Sequence, residues 1–266
     1  MKNEKYDNLI NNFKIISKKG WLKTVATNTS GVGLTFERQL NKQPDSLFFP
    51  DYRGTEIKCT TRYSRYPITL FSLAFDGPSL YEMNNLLQKY GKNDRKYKDK
   101  KTLMANLKIN NPTLVNDKYF FELKLDYNSK KLLLVVYDVD FNVLENEVFV
   151  DFDTIKTHLE VKLSSLALVY ASKKVIDGID HYRYYSLNIY ELISFEKFLH
   201  LLENNIINVS IEGRISRSGF KEGKNRNKNL VFKIPKENIS DLFCLIYEKD
   251  MDKIKNNCLD FTVFNI

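Results

Sequence analysis

The sequence predicts a mixed α/β protein, and three observations predict it. Apolar residues recur at helical spacing in some segments (Tyr6, Leu9, Ile10, Phe13, Ile16) and in short β-rich runs in others (55–60 and 68–75). The stretch 118–137, KYFFELKLDYNSKKLLLVVY, has the pattern of a β-hairpin turning at Asn128-Ser129. Helical and strand patterns alternate from end to end without internal repeats or low-complexity tracts. A chain of 266 residues holds one domain or two closely packed lobes, here 1–125 and 126–266 with room for a shared sheet.

Taken in order, residues 5–20 form a helix that Gly20 closes at its C-terminal side. Ser and Thr residues ahead of Gly31-Val32-Gly33 make a loop feeding a second helix through Leu34, Phe36, Glu37 and Leu40. Residues 41–54 are turn-rich, with Pro44, Pro50, Asp51 and Gly54. Strands over 55–60 and 68–75 follow, separated by the polar turn 62–67. Residues 79–90 read as an amphipathic helix with Ser79 at its N-cap. The segment 89–101, KYGKNDRKYKDKK, carries seven basic and two acidic residues, as a solvated connector or a phosphate-facing loop would. After the hairpin, a strand near 148–152 extends it. A helix is expected over 153–170 and a Tyr-rich strand over 182–192. Ser194 caps a further helix with Phe195, Phe198, Leu199 and Leu202 on one face. The chain then reads as strand (209–216), loop (217–229), strand (230–234) and helix (237–249).

Composition removes whole function classes. Apolar residues at 43% and charged residues at 28% are those of an ordinary soluble protein. Cys59, Cys244 and Cys258 are far apart and form no C-x-x-C, so a disulfide framework or zinc ribbon has no basis. Three histidines without H-x-H or H-E-x-x-H leave little for a zinc hydrolase. No signal-peptide segment and no run of the roughly 18–20 apolar residues needed to span a bilayer is visible. The expectation is a soluble cytoplasmic protein without membrane contact. A formal charge of +8 and a pI near 9.1 favour a polyanionic partner, most often nucleic acid.

Pro50-Asp51-Tyr52-Arg53-Gly54-Thr55-Glu56-Ile57-Lys58 is the most informative stretch. Asp51 precedes a strand on which Glu56 and Lys58, two apart, leave the same face, while Ile57 and Cys59 turn to the core. Two carboxylates beside a lysine suit Mg²⁺, which takes one or two carboxylates and completes its shell with water and phosphate. Such an ion would polarise a phosphodiester, with Lys58 orienting a water or offsetting developing charge. Spacing alone is weak, because Asp117, Glu122 and Lys124 repeat D-x4-E-x-K. There Tyr119, Phe121, Leu123 and Leu125 form an apolar face, and Glu122 and Lys124 are expected on the solvated side as a surface ion pair. The first copy differs in having a third acid, Glu37, on the helix that starts at the Gly-rich turn.

GVGLTFE followed by PDYRGTEIKCTTRYSRYPITLFS resembles the MvaI/BcnI family of type II restriction endonucleases, monomeric relatives of the mismatch-repair nickase MutH within the PD-(D/E)xK nuclease group. The residues that carry it are Gly31, Gly33, Thr35 and Glu37, then Pro50, Asp51, Gly54, Glu56 and Lys58, then Thr61 or Arg62 and Thr69-Leu70-Phe71. The resemblance implies a PD-(D/E)xK core with a second, DNA-recognition lobe. It implies metal ligation by Asp51 and Glu56, a water-activating Lys58 and a supporting Glu37. It also implies hydrolysis of both DNA strands to 5′-phosphate and 3′-hydroxyl ends, with Mg²⁺ as cofactor.

Residues 213–236 carry eight basic residues against Glu222, a local charge of +7. Arg214, Arg217, Lys224, Arg226 and Lys228 are candidates for groove and phosphate contacts, since Arg reads guanine bidentately and Lys neutralises phosphate. Arg53, Arg62 and Arg65, around the carboxylates, are candidates for holding the scissile strand. The resemblance extends more faintly through SFEKFLHLLENN, GRISRSG and LVFKI, which in the family belong to the recognition lobe. Lys224–Asn229 stand where the family has a histidine-containing, Gly-bearing stretch, so the recognised sequence is open. Tyr182, Tyr184, Tyr185 and Tyr190 are assigned no role. The expected function is sequence-specific cleavage of double-stranded DNA by a monomer acting on one strand after the other, alongside a cognate DNA methyltransferase as functional partner. A MutH-like nickase and a non-catalytic DNA-binding protein on a nuclease fold are the alternatives.

Overall fold

The computed structural model describes residues 4–26, 30–41, 49–217 and 219–252. Along the chain lie α1 (Glu4–Lys18), β1 (Leu22–Lys23), α2 (Gly31–Gln39), β2 (Glu56–Thr61), β3 (Ile68–Leu73), α3 (Glu82–Tyr90), β4 (Lys92–Asn93), β5 (Lys101–Leu107), β6 (Thr113–Val115) and β7 (Tyr119–Asp126). They continue with β8 (Lys131–Tyr137), β9 (Val143–Asp151), α4 (Phe152–Leu163), β10 (Ser165–Ile176), β11 (Ile179–Leu192), α5 (Phe195–Glu203), β12 (Asn208–Ile215), β13 (Asn225–Ile234), α6 (Ile239–Leu242) and β14 (Phe243–Asp250). The mixed α/β class is as expected, with more strand than helix. No helix among the described residues is long and apolar enough to cross a membrane.

Two compact units interleave along the chain instead of dividing near residue 125. The first is drawn from 1–65, 160–193 and 243–266, the second from 66–159 and 194–242. The physical reason is strand pairing. β2 lies parallel to β10, with Glu56 beside Leu166 and Lys58 beside Leu168, so the first unit needs chain from both halves of the sequence. Its sheet runs β1-β11-β10-β2, with β14 also on β11. Central β10 is buried on both faces, which explains its continuous apolar run. The apolar stripe of α1 (Tyr6, Leu9, Ile10, Phe13, Ile16) joins Phe36, Ile57, Val169, Tyr184 and Leu187 in one core. Tyr182, Tyr184, Tyr185 and Tyr190 are buried strand residues.

The second unit holds two sheets, β3-β13-β12-β5-β4 and the meander β6-β7-β8-β9. Helix α5, capped by the Ser194 hydroxyl that accepts from the Lys197 amide (3.1 Å), stacks Phe198 on Phe71 and packs it at a tilt against Phe232. Helix α3 lies close over β12, where a Cβ on Gly213 would meet Met83 at 2.5 Å.

Four local expectations are corrected. The helix expected over 153–170 ends at Leu163, and SLALVYASKKVI is strand β10. A fully buried strand lacks period-two alternation, so it imitates a helix segment. Most of 237–249 is strand β14, with α6 a single turn before it. β13 begins at Asn225, shortening the loop expected over 217–229. Ser79 accepts from the Tyr81 amide (3.1 Å) as a turn, and the N-cap residue of α3 is Tyr81. Parts of the loop before Gly31 and of the turn-rich segment 41–54 (27–29 and 42–48) lie outside the described residues.

Candidate active site

A tight turn builds the site. Tyr52 and Thr55 exchange both backbone hydrogen bonds (2.9 Å each), so Arg53 and Gly54 make the reversal at positive φ (46° and 79°). Non-glycine residues seldom adopt that conformation, and here it folds Asp51 back over the start of β2. The Asp51 Oδ2 accepts the Ile57 amide at 3.1 Å. On the other side of the turn the buried hydroxyls of Thr55 and Ser165 meet at 3.2 Å, pinning the residue just before β2 to the first of β10.

Glu56 is only 1% exposed. Its Oε1 pairs with Lys58 Nζ at 2.5 Å and lies 3.6 Å from Lys162 Nζ, contributed by α4. Oε2 is buried and has no hydrogen-bond partner among the described residues. Burial pushes the Glu56 carboxyl above its ordinary range; Lys58 opposes the rise, Asp51 adds to it, and Lys162 also opposes it. A buried carboxylate oxygen left without a donor is costly, and a hard cation is the ligand that would satisfy it. Asp51 supplies a second carboxylate close enough to act on Glu56 electrostatically. No three His, Cys, Asp or Glu side chains among the described residues converge as a metal cage. A two-carboxylate set still fits Mg²⁺, which keeps several waters and binds phosphate oxygens.

Helix α2 packs on β2 and begins at Gly31, where a Cβ would lie 2.6 Å from Thr24 Oγ1 and 2.8 Å from the Ala26 carbonyl in the segment after β1. Glycine there lets α2 start tight against the segment after β1, and the same helix carries Glu37. The Cys59 thiol is pushed up by burial first and then by Glu37 and Asp51, with Lys58 acting the other way. Glu37, Asp51 and Lys58 therefore all lie within electrostatic range of one strand residue.

Arg53, in the turn, and Arg62 and Arg65, just beyond β2, are exposed. Arg62 packs its guanidinium 5.8 Å from the Tyr185 ring centre. In the second unit Arg214, Lys224 and Arg226 are exposed on or beside the β12–β13 hairpin, with Arg214 and Arg226 opposite each other in register. Arg214 pairs with Glu212 at 3.0 Å. Arg217 is held bidentately by Asp94, at 2.7 and 2.5 Å. The side chain of Lys228 lies outside the described residues. The second D-x4-E-x-K copy also departs from expectation, because Glu122 is buried and accepts from Tyr137 Oη (2.7 Å) with Lys124 at 3.3 Å.

Sequence reasoning missed Lys162 and Asp94. Nothing local marks Lys162 among the lysines of the chain; only the parallel pairing of β10 with β2 delivers it to Glu56. Asp94 sat inside a segment conspicuous for its lysines, and its one signal was being an acid there.

The MvaI/BcnI restriction endonuclease family pattern matches residues 10–243. Among solved structures, restriction endonuclease MvaI in complex with its cognate DNA substrate is 27% identical, covering 91% of this chain and 98% of that one, with a TM-score of 0.84. MvaI in the absence of DNA, also 27% identical, covers 91% and 97% with a TM-score of 0.58. No curated protein matches the chain.

Proposed function

The chain belongs to the MvaI/BcnI restriction endonuclease family, and from that premise we propose that it cleaves double-stranded DNA at a specific sequence with Mg²⁺, as a cytoplasmic monomer cutting one strand after the other. A cognate methyltransferase protecting the same sequence is its functional partner. The first unit would carry the chemistry and the second would supply recognition. The observation that carries the reading is Glu56 Oε2, a buried acceptor without a donor among the described residues, flanked by Lys58, Lys162 and Asp51.

Asp51 and Glu56 are the residues that would hold the cation. When bound, Mg²⁺ polarises the scissile phosphate and lowers the pKa of a water. Lys58 orients the attacking water through its ammonium hydrogens and offsets the negative charge that grows on the phosphate. The water oxygen bonds to phosphorus, the bond to the 3′ oxygen breaks, and the products are a 5′-phosphate and a 3′-hydroxyl. Glu37 supports the carboxylate pair from α2. Arg53, Arg62 and Arg65 hold phosphates of the strand being cut. Arg214, Lys224, Arg226 and Lys228 contact the duplex from the second unit.

Supercoiled plasmid incubated with Mg²⁺ tests this. Transient open circles followed by discrete linear fragments are expected, and run-off sequencing of the ends then reports the site. Open circles that never become linear would mean a strand nickase. Asp51→Ala or Lys58→Ala should abolish cleavage by at least about 10³-fold while duplex binding survives; retained cleavage overturns the assignment.

A further inference from the structure

Two basic loops of the second unit, 94–100 and 216–224, would repel each other if left alone. They are instead tied at three points. Asp94, with its side chain 1% exposed, receives both terminal nitrogens of the Arg217 guanidinium, at 2.7 and 2.5 Å. The same carboxylate accepts the backbone amides of Lys96 (2.8 Å) and Tyr97 (2.9 Å). These donors, Arg217 foremost, hold the Asp94 carboxyl well below the usual range. Glu222 accepts from Lys96 Nζ (2.5 Å) and Tyr97 Oη (2.9 Å). Lys100 Nζ donates to the Gly223 carbonyl, and Gly223 lies close against the Tyr97 ring.

We propose that Asp94 is a positioning residue for DNA: by clamping Arg217 it fixes the 94–100 loop and the hairpin tip as one preformed cationic surface for the phosphate backbone of a duplex. The inference rests on the DNA-cleaving reading above and goes beyond it by moving Arg217 from DNA contact to the clamp. Asp94 and Glu222 are engaged in holding the opposite segment. The cations Arg95, Lys98, Lys221 and Lys224 are exposed on the same two segments, with Arg226 exposed just beyond them on β13, and Asp99 is the one other acid on the two segments, itself exposed. A single surface ion pair contributes little. A bidentate pair on a carboxylate that also holds two amides fixes geometry, and it removes the ordering cost of two mobile cationic loops before DNA arrives. Phosphate is the partner because the array is cationic and its spacing is fixed by loops, not by a closed pocket.

Steady-state cleavage of a duplex carrying the site found by run-off sequencing, with its affinity followed against salt, tests the clamp. Asp94→Asn keeps an oxygen for the two amides but loses the charge that holds Arg217. KM should rise about ten-fold with kcat within about two-fold, the loss of roughly 1.4 kcal/mol of preorganisation. The slope of log affinity against log salt should fall by about one to two, as each lost phosphate contact removes about 0.9. A purely structural defect would lower the melting temperature without changing that slope. Arg217→Lys, which keeps the charge and loses the fork, should raise KM as Asp94→Asn does. Glu222→Gln, on the exposed second tie, should raise it about three-fold and serves if Asp94→Asn fails to fold. Unchanged KM in Asp94→Asn and Glu222→Gln overturns the clamp. Tighter binding by Asp94→Asn also overturns it, since Arg217 would then be a DNA contact that Asp94 masks. A wild-type chain that neither binds nor cuts any duplex overturns the DNA reading together with the clamp, and is thereby told apart from failure of the clamp alone.

Discussion

The chain carries D-x4-E-x-K twice, and the two copies differ in where two atoms find their partners. In the first, the amide of Ile57 donates to Asp51, drawing that carboxylate toward β2. In the second, the equivalent amide of Leu123 donates to the Lys108 carbonyl (3.0 Å), so Asp117 has no such tether. Glu56 keeps one buried oxygen without a donor among the described residues, whereas Glu122 is buried but served by Tyr137 and Lys124. Both glutamates are out of solvent and both have a lysine two residues on. What separates a candidate cation site from a structural ion pair is therefore an unsatisfied acceptor, not spacing or burial. A fully hydrogen-bonded carboxylate has little to gain from a metal.

The largest expected effect breaks the symmetry of the two copies directly. Asp51→Ala and Lys58→Ala should abolish plasmid cleavage, while Asp117→Ala and Lys124→Ala should leave the rate within about two-fold, as surface substitutions away from the chemistry do. Cleavage lost equally in both pairs would make the second copy part of the machinery. Stability should split with opposite signs. Burial raises the Glu56 carboxyl, so its neutral form suits the fold; that stabilisation is complete below the unfolded-state value and is lost as pH rises through the folded one. Glu56→Gln, permanently neutral, should melt higher than wild type at pH 7 in chelator, by roughly 2–4 °C if about 1 kcal/mol is relieved. The gap should close on acidification as wild-type Glu56 takes up its proton. Glu122→Gln loses charge-assisted bonds to Tyr137 and Lys124 and should melt lower by a similar amount. Melting temperatures that move together would show that Glu56 is as satisfied as Glu122.

How much of this the sequence disclosed follows the range of the interactions. Asp51, the turn, Glu56 and Lys58 lie within eight residues, and alternation along one strand decides their faces, so that part of the site was legible. Helix α1 was legible from its stripe, and Ser194 from its cap. Strand β10 was not, because burial on both faces erases the alternation that identifies a strand. The interleaving of the units was hidden for the same reason, since it depends on β10 pairing with β2. The pairing of Arg217 with Asp94 was not legible because Asp94 is far off in sequence and comes near only through the pairing of β5 with β12.

The smallest expected effect sharpens the comparison at Lys162, which has no counterpart beside Glu122 among the described ion pairs. Glu56 Oε1 lies 2.5 Å from Lys58 but 3.6 Å from Lys162, beyond a hydrogen bond, so Lys162 acts on it as a charge. Lys162→Met should lower the cleavage rate about five- to ten-fold, far less than Lys58→Ala, because a charge partly open to solvent contributes roughly 1 kcal/mol. The pH dependence carries the sign. Lys162 lowers the Glu56 carboxyl against the pull of burial, so removing it lets that carboxyl rise further. Glu56 must be ionised to hold a cation, so the acid limb of the pH–rate profile should move to higher pH in Lys162→Met and return in Lys162→Arg. A slower enzyme with an unmoved acid limb would mean that Lys162 serves the DNA and not Glu56. Neither result would be expected from Lys124→Met, where Tyr137 still satisfies the carboxylate.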